Sequence, residues 1–448
     1  MAAGAAAADP ATTHEVAMTS IRPFSLRRGR LEGSRSMRWR GAGLVLVLAA
    51  GCAPSEEAAG PIQPGPDAQR QALEAFVGAE AGDVIEFAAG RFSFDTTLSL
   101  DVPGVTVRGA GMEQTILDFS NQAAGSGGEG ILVTADDFTV EDLAVFNSRS
   151  DGIKVEGTSN ASFRRVFVNW EGEPSTENGA YGLYPVQVDG VLIEDSKVRG
   201  SSDAGIYVGQ SSRIVVRRNE TWENVAGIEI ENSTAADVYE NHAHHNTGGL
   251  LVFSLPELPV KNGRDIRVWN NRVVENNHPN FGKPGAIVSE IPAGSGLILM
   301  ASDNVDVYGN EFRDNQTANV SIVSYLATGR PYEDPAYDPF SEGISIHHNT
   351  FAGGGAQPEG SLAELAVPLI GAPLPDIVFD GIVNPERLQD GQLPAEARIY
   401  VENNGDADFV NLDLGVAMAG GQPNIDRDLS RYAGSLPQPP GEVALGGP

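Results

Sequence analysis

Lys154, Tyr184 and Tyr207 stand at one repeated position of neighbouring β-rich segments, a cation followed by two phenols. Glu229 continues the same position, and Glu231 follows two residues later. Gln187, Gln210 and Asn232 each lie three residues beyond Tyr184, Tyr207 and Glu229. These are the parts of general acid–base chemistry: proton-donating phenols, a carboxylate base, and an ammonium that neutralises a developing anion. The three amides suit hydrogen bonds to hydroxyl groups, and neighbouring carboxylates beside a lysine shift one another's pKa. The ligand expected from this set is a glycan. Tyr184 and Tyr207 would stack on it or exchange protons with it. The alternative is a row of ordinary strand residues facing solvent.

What must position these residues is a repeat. The rows GLYPVQVDGVLIEDSKVRGSSDA, GIYVGQSSRIVVRRNETWENVA, GIEIENSTAADVYENHAHHNTG and GLLVFS follow one another from Gly182. Their strand openings Ile206, Ile228 and Leu250 are 22 residues apart. A fixed period of this length with short β segments marks stacked units that cannot bury their apolar faces alone. The expected fold is all-β, a single-stranded right-handed parallel β-helix with an N-terminal cap helix. Openings fall near Ile131, Ile153, Leu183, Ile206, Ile228, Leu250, Leu297 and Val320. Alternation within each strand sends residues such as Ile206 and Val208 inward. Two outward columns result. The first is Lys154, Tyr184, Tyr207, Glu229, Leu251, Ile298 and Ser321; the second is Glu156, Val186, Gly209, Glu231, Phe253, Met300 and Val323. A glycine precedes most openings, from Gly152 to Gly296, where a turn needs positive φ or a close backbone approach.

Asparagines mark a second register. Asp195, Asn219, Asn241, Asn271, Asn310 and Asn349 occupy one row position, and Asn224, Asn246, Asn276 and Asn315 lie five residues after four of them. Stacked amides hydrogen-bond along a β stack, so these read as structural ladders. Two insertions break the period, the first in two parts at residues 255–263 and 277–295 and the last at 326–342, and long loops on a rigid scaffold are where function concentrates. Glu333, Asp334 and Asp338 in the last insertion could offer oxygen ligands to Ca²⁺, the one candidate ion. His242, His244 and His245 could bind a metal, but their place between ladder asparagines reads as a solvated bend.

Length and composition fit this architecture. The 448 residues include 53 Gly and only 7% aromatics, which favours many short strands and tight turns. Sixty acidic against 30 basic residues argue against nucleic acid as a partner. The single cysteine, Cys52, excludes an intrachain disulfide. It follows a basic segment (Arg38, Arg40) and a short apolar run, residues 41–50, too short to span a bilayer. Residues 1–52 therefore read as an upstream extension plus a signal peptide, with Met18 or Met37 as alternative starts. Loss of residues 1–51 would leave a net charge of −34. Residues 53–66 read as a linker, and 67–79 as an amphipathic helix with Leu73, Phe76 and Val77 on one face. The β-helix domain is expected over 67–415, ending in a closing strand pair near 397–414. A disordered tail is expected over 416–448.

Ala49-Ala50-Gly51-Cys52 resembles the lipobox of bacterial lipoproteins. The resemblance implies lipidation of Cys52, export, and, with Ala53 next, an outer-membrane location. The rows GAYGLYPVQ, SDAGIYVGQS, ENVAGIEIENS and NTGGLLVF resemble bacterial exported right-handed parallel β-helix proteins of the pectin-lyase-like superfamily, over about residues 68–415. That resemblance implies the fold and leaves the reaction open. The superfamily contains lyases, epimerases and hydrolases of acidic polysaccharides. Tyr181-Gly182-Leu183-Tyr184-Pro185-Val186-Gln187 is similar to the Tyr-Gly-x-Asp-Pro-His-Asp frame of alginate C5-epimerases, but Tyr184, Val186 and Gln187 replace its Asp, His and last Asp.

The leading expectation is an exported, lipid-anchored monomeric β-helix protein that binds an acidic polysaccharide, with processing of that polymer as its enzymatic form. One alternative is a uronate C5 lyase or epimerase, using Lys154, Tyr184 and Tyr207. The other is a non-catalytic scaffold or protein-interaction module on the cell envelope, built on the apolar row Leu251, Phe253, Ile298 and Met300.

Overall fold

The computed structural model describes residues 60–445. Cys52 and the expected signal segment lie outside the described residues. Two parallel sheets run the length of the body, one of 19 strands and one of 11. Each typical rung gives two strands to the first sheet and one to the second; Ala204–Gly209, Ser212–Arg217 and Glu220–Trp222 make one such rung. The eight openings read from the sequence pair in register along the second sheet, Ile131 to Ile153, Leu183, Ile206, Ile228, Leu250, Leu297 and Val320. Inward residues such as Ile206, Val208, Ile228, Leu250 and Leu297 are buried in one continuous core. Burying each such side chain contributes roughly 1.5–3 kcal/mol, which only stacked rungs can collect.

The glycines before the openings serve close approach. Gly152, Gly182, Gly205, Gly227, Gly249 and Gly296 all lack positive φ. A Cβ on Gly227 would stand 2.6 Å from the Gly249 carbonyl oxygen, and one on Gly152 2.6 Å from that of Gly182. Side chains would therefore push the rungs apart at this corner.

Both asparagine ladders form, with two corrections. The first starts at Ser196, whose N–H donates to Asn219 Oδ1, since Asp195 falls one residue short of the position. It then runs through Asn241, Asn271, Asn310 and Asn349 to Asn404, which the period does not reach because 55 residues separate the last two. The second runs from Asn224 to Asn315 and passes to Asn319.

The ends also differ from expectation. Ile62, assigned to the linker, exchanges backbone hydrogen bonds with Glu86 and Ala88. Helix α1 (Ala68–Val77) covers the first rung with Ala68, Ala72 and Phe76, while Val77 points to solvent. The repeat outlasts its sequence signal. A helix α2 (Gly360–Ile370) intervenes, then Ile377–Phe379 and Phe409–Asn411 extend the second sheet and Ile399–Glu402 the first. The expected closing pair is thus two strands of one rung in different sheets. Beyond residue 415 the chain is laid against the helix. Tyr432 accepts from Val401 N and packs on Phe409, Leu436 is buried, and Val443 N donates to Asp237. No helix among the described residues is long and apolar enough to cross a membrane.

Candidate functional site

The register sets Tyr184 beside Lys154, Tyr207 beside Glu229, and Glu229 beside Leu251, as one outward column of the second sheet. The second column holds Glu156, Val186, Gly209, Glu231 and Phe253. Outward does not mean open, however. Tyr207, Glu229, Glu231, Leu251 and Phe253 are all buried, because the insertions fold over this face. Phe281, Ile287, Val288 and Ile291 from the first insertion, Tyr332 and Tyr337 from the last, and Tyr325 just before it pack with Tyr207, Phe253 and Met300 in a second apolar cluster outside the core. Tyr337 Oη donates to Ser254 O at 2.6 Å.

This covering accounts for the acids of the last insertion. Asp334 pairs with Lys261, and Glu257 accepts the N–H groups of Glu333 and Asp334. Asp338 accepts from Phe340 N, and its own N–H donates to Asn262. These contacts tie the last insertion to residues 257–262 through the backbone N–H groups of Glu333, Asp334 and Asp338 and through the Asp334 carboxylate. Asn232, expected to meet substrate, is buried and does similar work. Its amide accepts from Leu255 N and donates to the carbonyls of Leu255 and Val260. Gln187 and Gln210 sit at left-handed corners, φ 55° and 52°, with Gln187 Nε2 donating to Gln210 Oε1 at 3.4 Å.

Beneath the cover lies a cluster of carboxyls and phenols. The rings of Tyr181, Tyr184 and Tyr207 meet one another at centroid distances of 4.4, 4.6 and 5.0 Å. Tyr207 Oη donates to Glu231 Oε1 at 2.8 Å. Asp151 and Asp203 join from the turns just before the strands. Burial, then the Glu231 charge, pushes the Asp203 carboxyl up to about 7. Burial, then Glu129, carries Asp151 to about 6, against the pull of Lys154 and Lys283. Glu229 is raised by burial and by Asp203 and Glu231, and one of its oxygens is buried without a partner. Burial raises Glu231 as well, opposed by the Tyr207 hydroxyl. Burial also holds Tyr184 and Tyr207 protonated. Lys154 pairs with Glu156 at 2.7 Å and lies over the Tyr184 ring. Lys154, Tyr181, Tyr184 and Asp203 are partly exposed and form the mouth; Glu229 and Glu231 form the floor. Carboxyls that keep a proton near neutrality beside others that release it are the equipment of an acid–base pair.

Sequence reasoning missed Asp151, Asp203 and Tyr181. The signal was an acid one or two residues before the opening glycine, in Asp151-Gly152 and Asp203-Ala204-Gly205. The apolar row Leu251, Phe253, Ile298 and Met300 is not an open interface. With Ile287, Ile291 and Leu365 it walls a cavity of about 380 Å³. Of the histidines expected in a solvated bend, His242 and His244 lie on the strand His242–His244 of the first sheet, and His245 follows it at an exposed left-handed corner.

Residues 129–277 match a family model described as a right-handed β-helix region. The A-module of a mannuronan C-5 epimerase from Azotobacter vinelandii superposes with a TM-score of 0.50 at 17% identity, over 75% of this chain and 90% of that one. The fold is a right-handed parallel β-helix. A DFA-IIIase from Arthrobacter chlorophenolicus gives a TM-score of 0.40 at 12% identity, covering 72% of this chain and 90% of that one. The catalytic unit of an α-1,3-glucanase from Streptomyces thermodiastaticus gives 0.44 at 15%, covering 72% and 51%. At these identities the likeness is one of fold. No curated protein matches the chain.

Proposed function

We propose that this protein binds a carbohydrate at the mouth formed by Lys154, Tyr181, Tyr184 and Asp203 and processes it by acid–base chemistry. The observation that carries the reading is the convergence of Asp151, Asp203, Glu229 and Glu231 with three tyrosines, with Asp203 poised near 7. A protonated carboxyl of this group would donate to a glycosidic oxygen while an ionised neighbour assists water or the anomeric carbon. Four carboxyls favour a neutral sugar over a polyanion. Lys154 beside Tyr184 supports a second reading, attack at C5 of a uronate with the ammonium neutralising its carboxylate and a tyrosine moving the proton. Export and lipid anchoring at Cys52 belong to the proposal on the strength of the sequence motif.

Purified protein presented with neutral and uronate-bearing glycans separates these readings. Hydrolysis releases reducing ends, a lyase releases unsaturated products, and an epimerase changes sugar composition without cleavage. Glu231→Gln and Asp203→Asn should each abolish turnover while retaining glycan binding. Undiminished turnover in both variants would remove the cluster from the mechanism.

A further inference from the structure

The first sheet carries a separate group of side chains. His242 and His244 alternate outward around the buried Ala243, and Glu220 is the register partner of His242 on the preceding rung. One donor atom from each of Glu220, His242 and His244 lies within 4.8 Å of the others. His244 Nε2 stands 3.4 Å from Glu220 Oε1. Two ligands on one tetrahedral Zn²⁺ at about 2.1 Å are about 3.4 Å apart. His242 Nε2 is buried without a hydrogen-bond partner.

The surroundings orient these groups. Trp222 lies parallel to the His244 ring, at 2° and 6.2 Å, and fixes its plane. Lys197 holds the second Glu220 oxygen at 3.2 Å, leaving Oε1 toward the histidine. Arg272, the register partner of His242 on the next rung, is drawn to Glu311 at 3.0 Å. His244 Nδ1 meets His245 Nδ1 at 2.8 Å, and His245 Nε2 meets Glu275 at 3.3 Å. With both rings neutral, two proton arrangements are open. In one, His244 Nε2–H donates to Glu220 and His245 Nδ1–H donates to His244 Nδ1. In the other, His244 Nδ1–H donates to His245 and His245 Nε2–H donates to Glu275, which leaves the His244 Nε2 lone pair free for a cation beside the Glu220 carboxylate.

We propose that Glu220, His242 and His244 form a binding site for a divalent transition metal of the zinc class, oriented from outside by His245 and Glu275. Two imidazoles and a carboxylate are a zinc donor set, and a histidine ligand whose other nitrogen is held through a relay to a carboxylate is the usual outer arrangement. The fourth position faces solvent, since Glu220 and His244 are partly exposed. The chain contains its own control. His347 and His348 repeat the 2.8 Å Nδ1 contact, with Asp306 3.0 Å from His347, but Ser345 stands where a second imidazole would be needed.

The test is titration of chelator-stripped protein with Co²⁺, followed by tetrahedral visible absorption, and displacement by Zn²⁺. One ion per chain is expected. Glu220→Gln and His244→Ala should each weaken binding more than about tenfold with the far-ultraviolet circular dichroism unchanged, and His245→Ala should cost about 10–100-fold. His347→Ala should leave binding as it is. Absence of one-per-chain binding at micromolar metal would overturn the proposal. Binding that survives Glu220→Gln, or that falls equally in His347→Ala, would do the same. Glu220 is a surface residue of the strand, so its glutamine variant tests the site even where His244→Ala fails to fold.

Discussion

Replacement of Asp203 by Asn tests the carboxyl cluster without any substrate. In the folded protein this carboxyl sits at about 7 against an ordinary value of 3.8, with burial the main cause and the Glu231 charge the next. A carboxyl raised in this way binds a proton that the unfolded chain has released. Its contribution to stability is therefore present below about pH 4 and is lost as the pH rises toward 7. The difference of roughly three pH units corresponds to a cost of about 4 kcal/mol above pH 7, at about 1.36 kcal/mol per unit. Because Glu229 and Glu231 share the same protons, this is a ceiling. Asp203→Asn keeps the shape and removes the charge. At about 2 °C per kcal/mol, the variant should melt up to ~8 °C above the parent at pH 8, about 3 °C above it at pH 5 and close to it below about pH 4. Asp303 and Asp380 are also raised by burial, to about 8 and about 7, but they are common to both proteins. The difference between the two melting profiles therefore isolates the cluster. Profiles that run parallel from pH 5 to pH 8 would refute the coupling of Asp203 to a buried acid group.

Two further predictions concern the parts that hold the site. Asn271→Ala removes four hydrogen bonds, two from Asn241 and one each to Val238 and Asn310. At about 1 kcal/mol each the cost is about 3–4 kcal/mol by denaturant unfolding, and a loss under about 1 kcal/mol would contradict a structural ladder. Lys261→Ala frees Asp334 and loosens the last insertion from the first. Limited proteolysis within residues 326–341 should accelerate several-fold, and an unchanged cleavage rate would show that the ion pair does not hold the cover.

The sequence by itself determined the stacking. Register in a parallel β-helix depends on a period and on alternation, and both are written locally, so Ile206, Ile228 and Leu250 pair as their spacing says. The two outward columns and the asparagine rows follow from the same arithmetic. Where the period was interrupted, the reading stopped. Asn404 joins the ladder 55 residues after Asn349, and the strand at Ile377–Phe379 follows a helix that hides its rung. Tertiary structure alone decided what the columns face. Glu229 and Glu231 look like solvent-facing strand residues until the insertions bury them, and it is that burial which raises their pKa. It also decided the company they keep. Asp203 lies in a turn 26 residues before Glu229 in the chain, yet its charge helps raise the Glu229 carboxyl. Likewise His242 and His244 read as a bend because they lie between two ladder asparagines, whereas the rung places them on a strand beside Glu220. Desolvation and proximity are properties of the packed surface, and no period along the chain encodes how a loop of 19 residues crosses it.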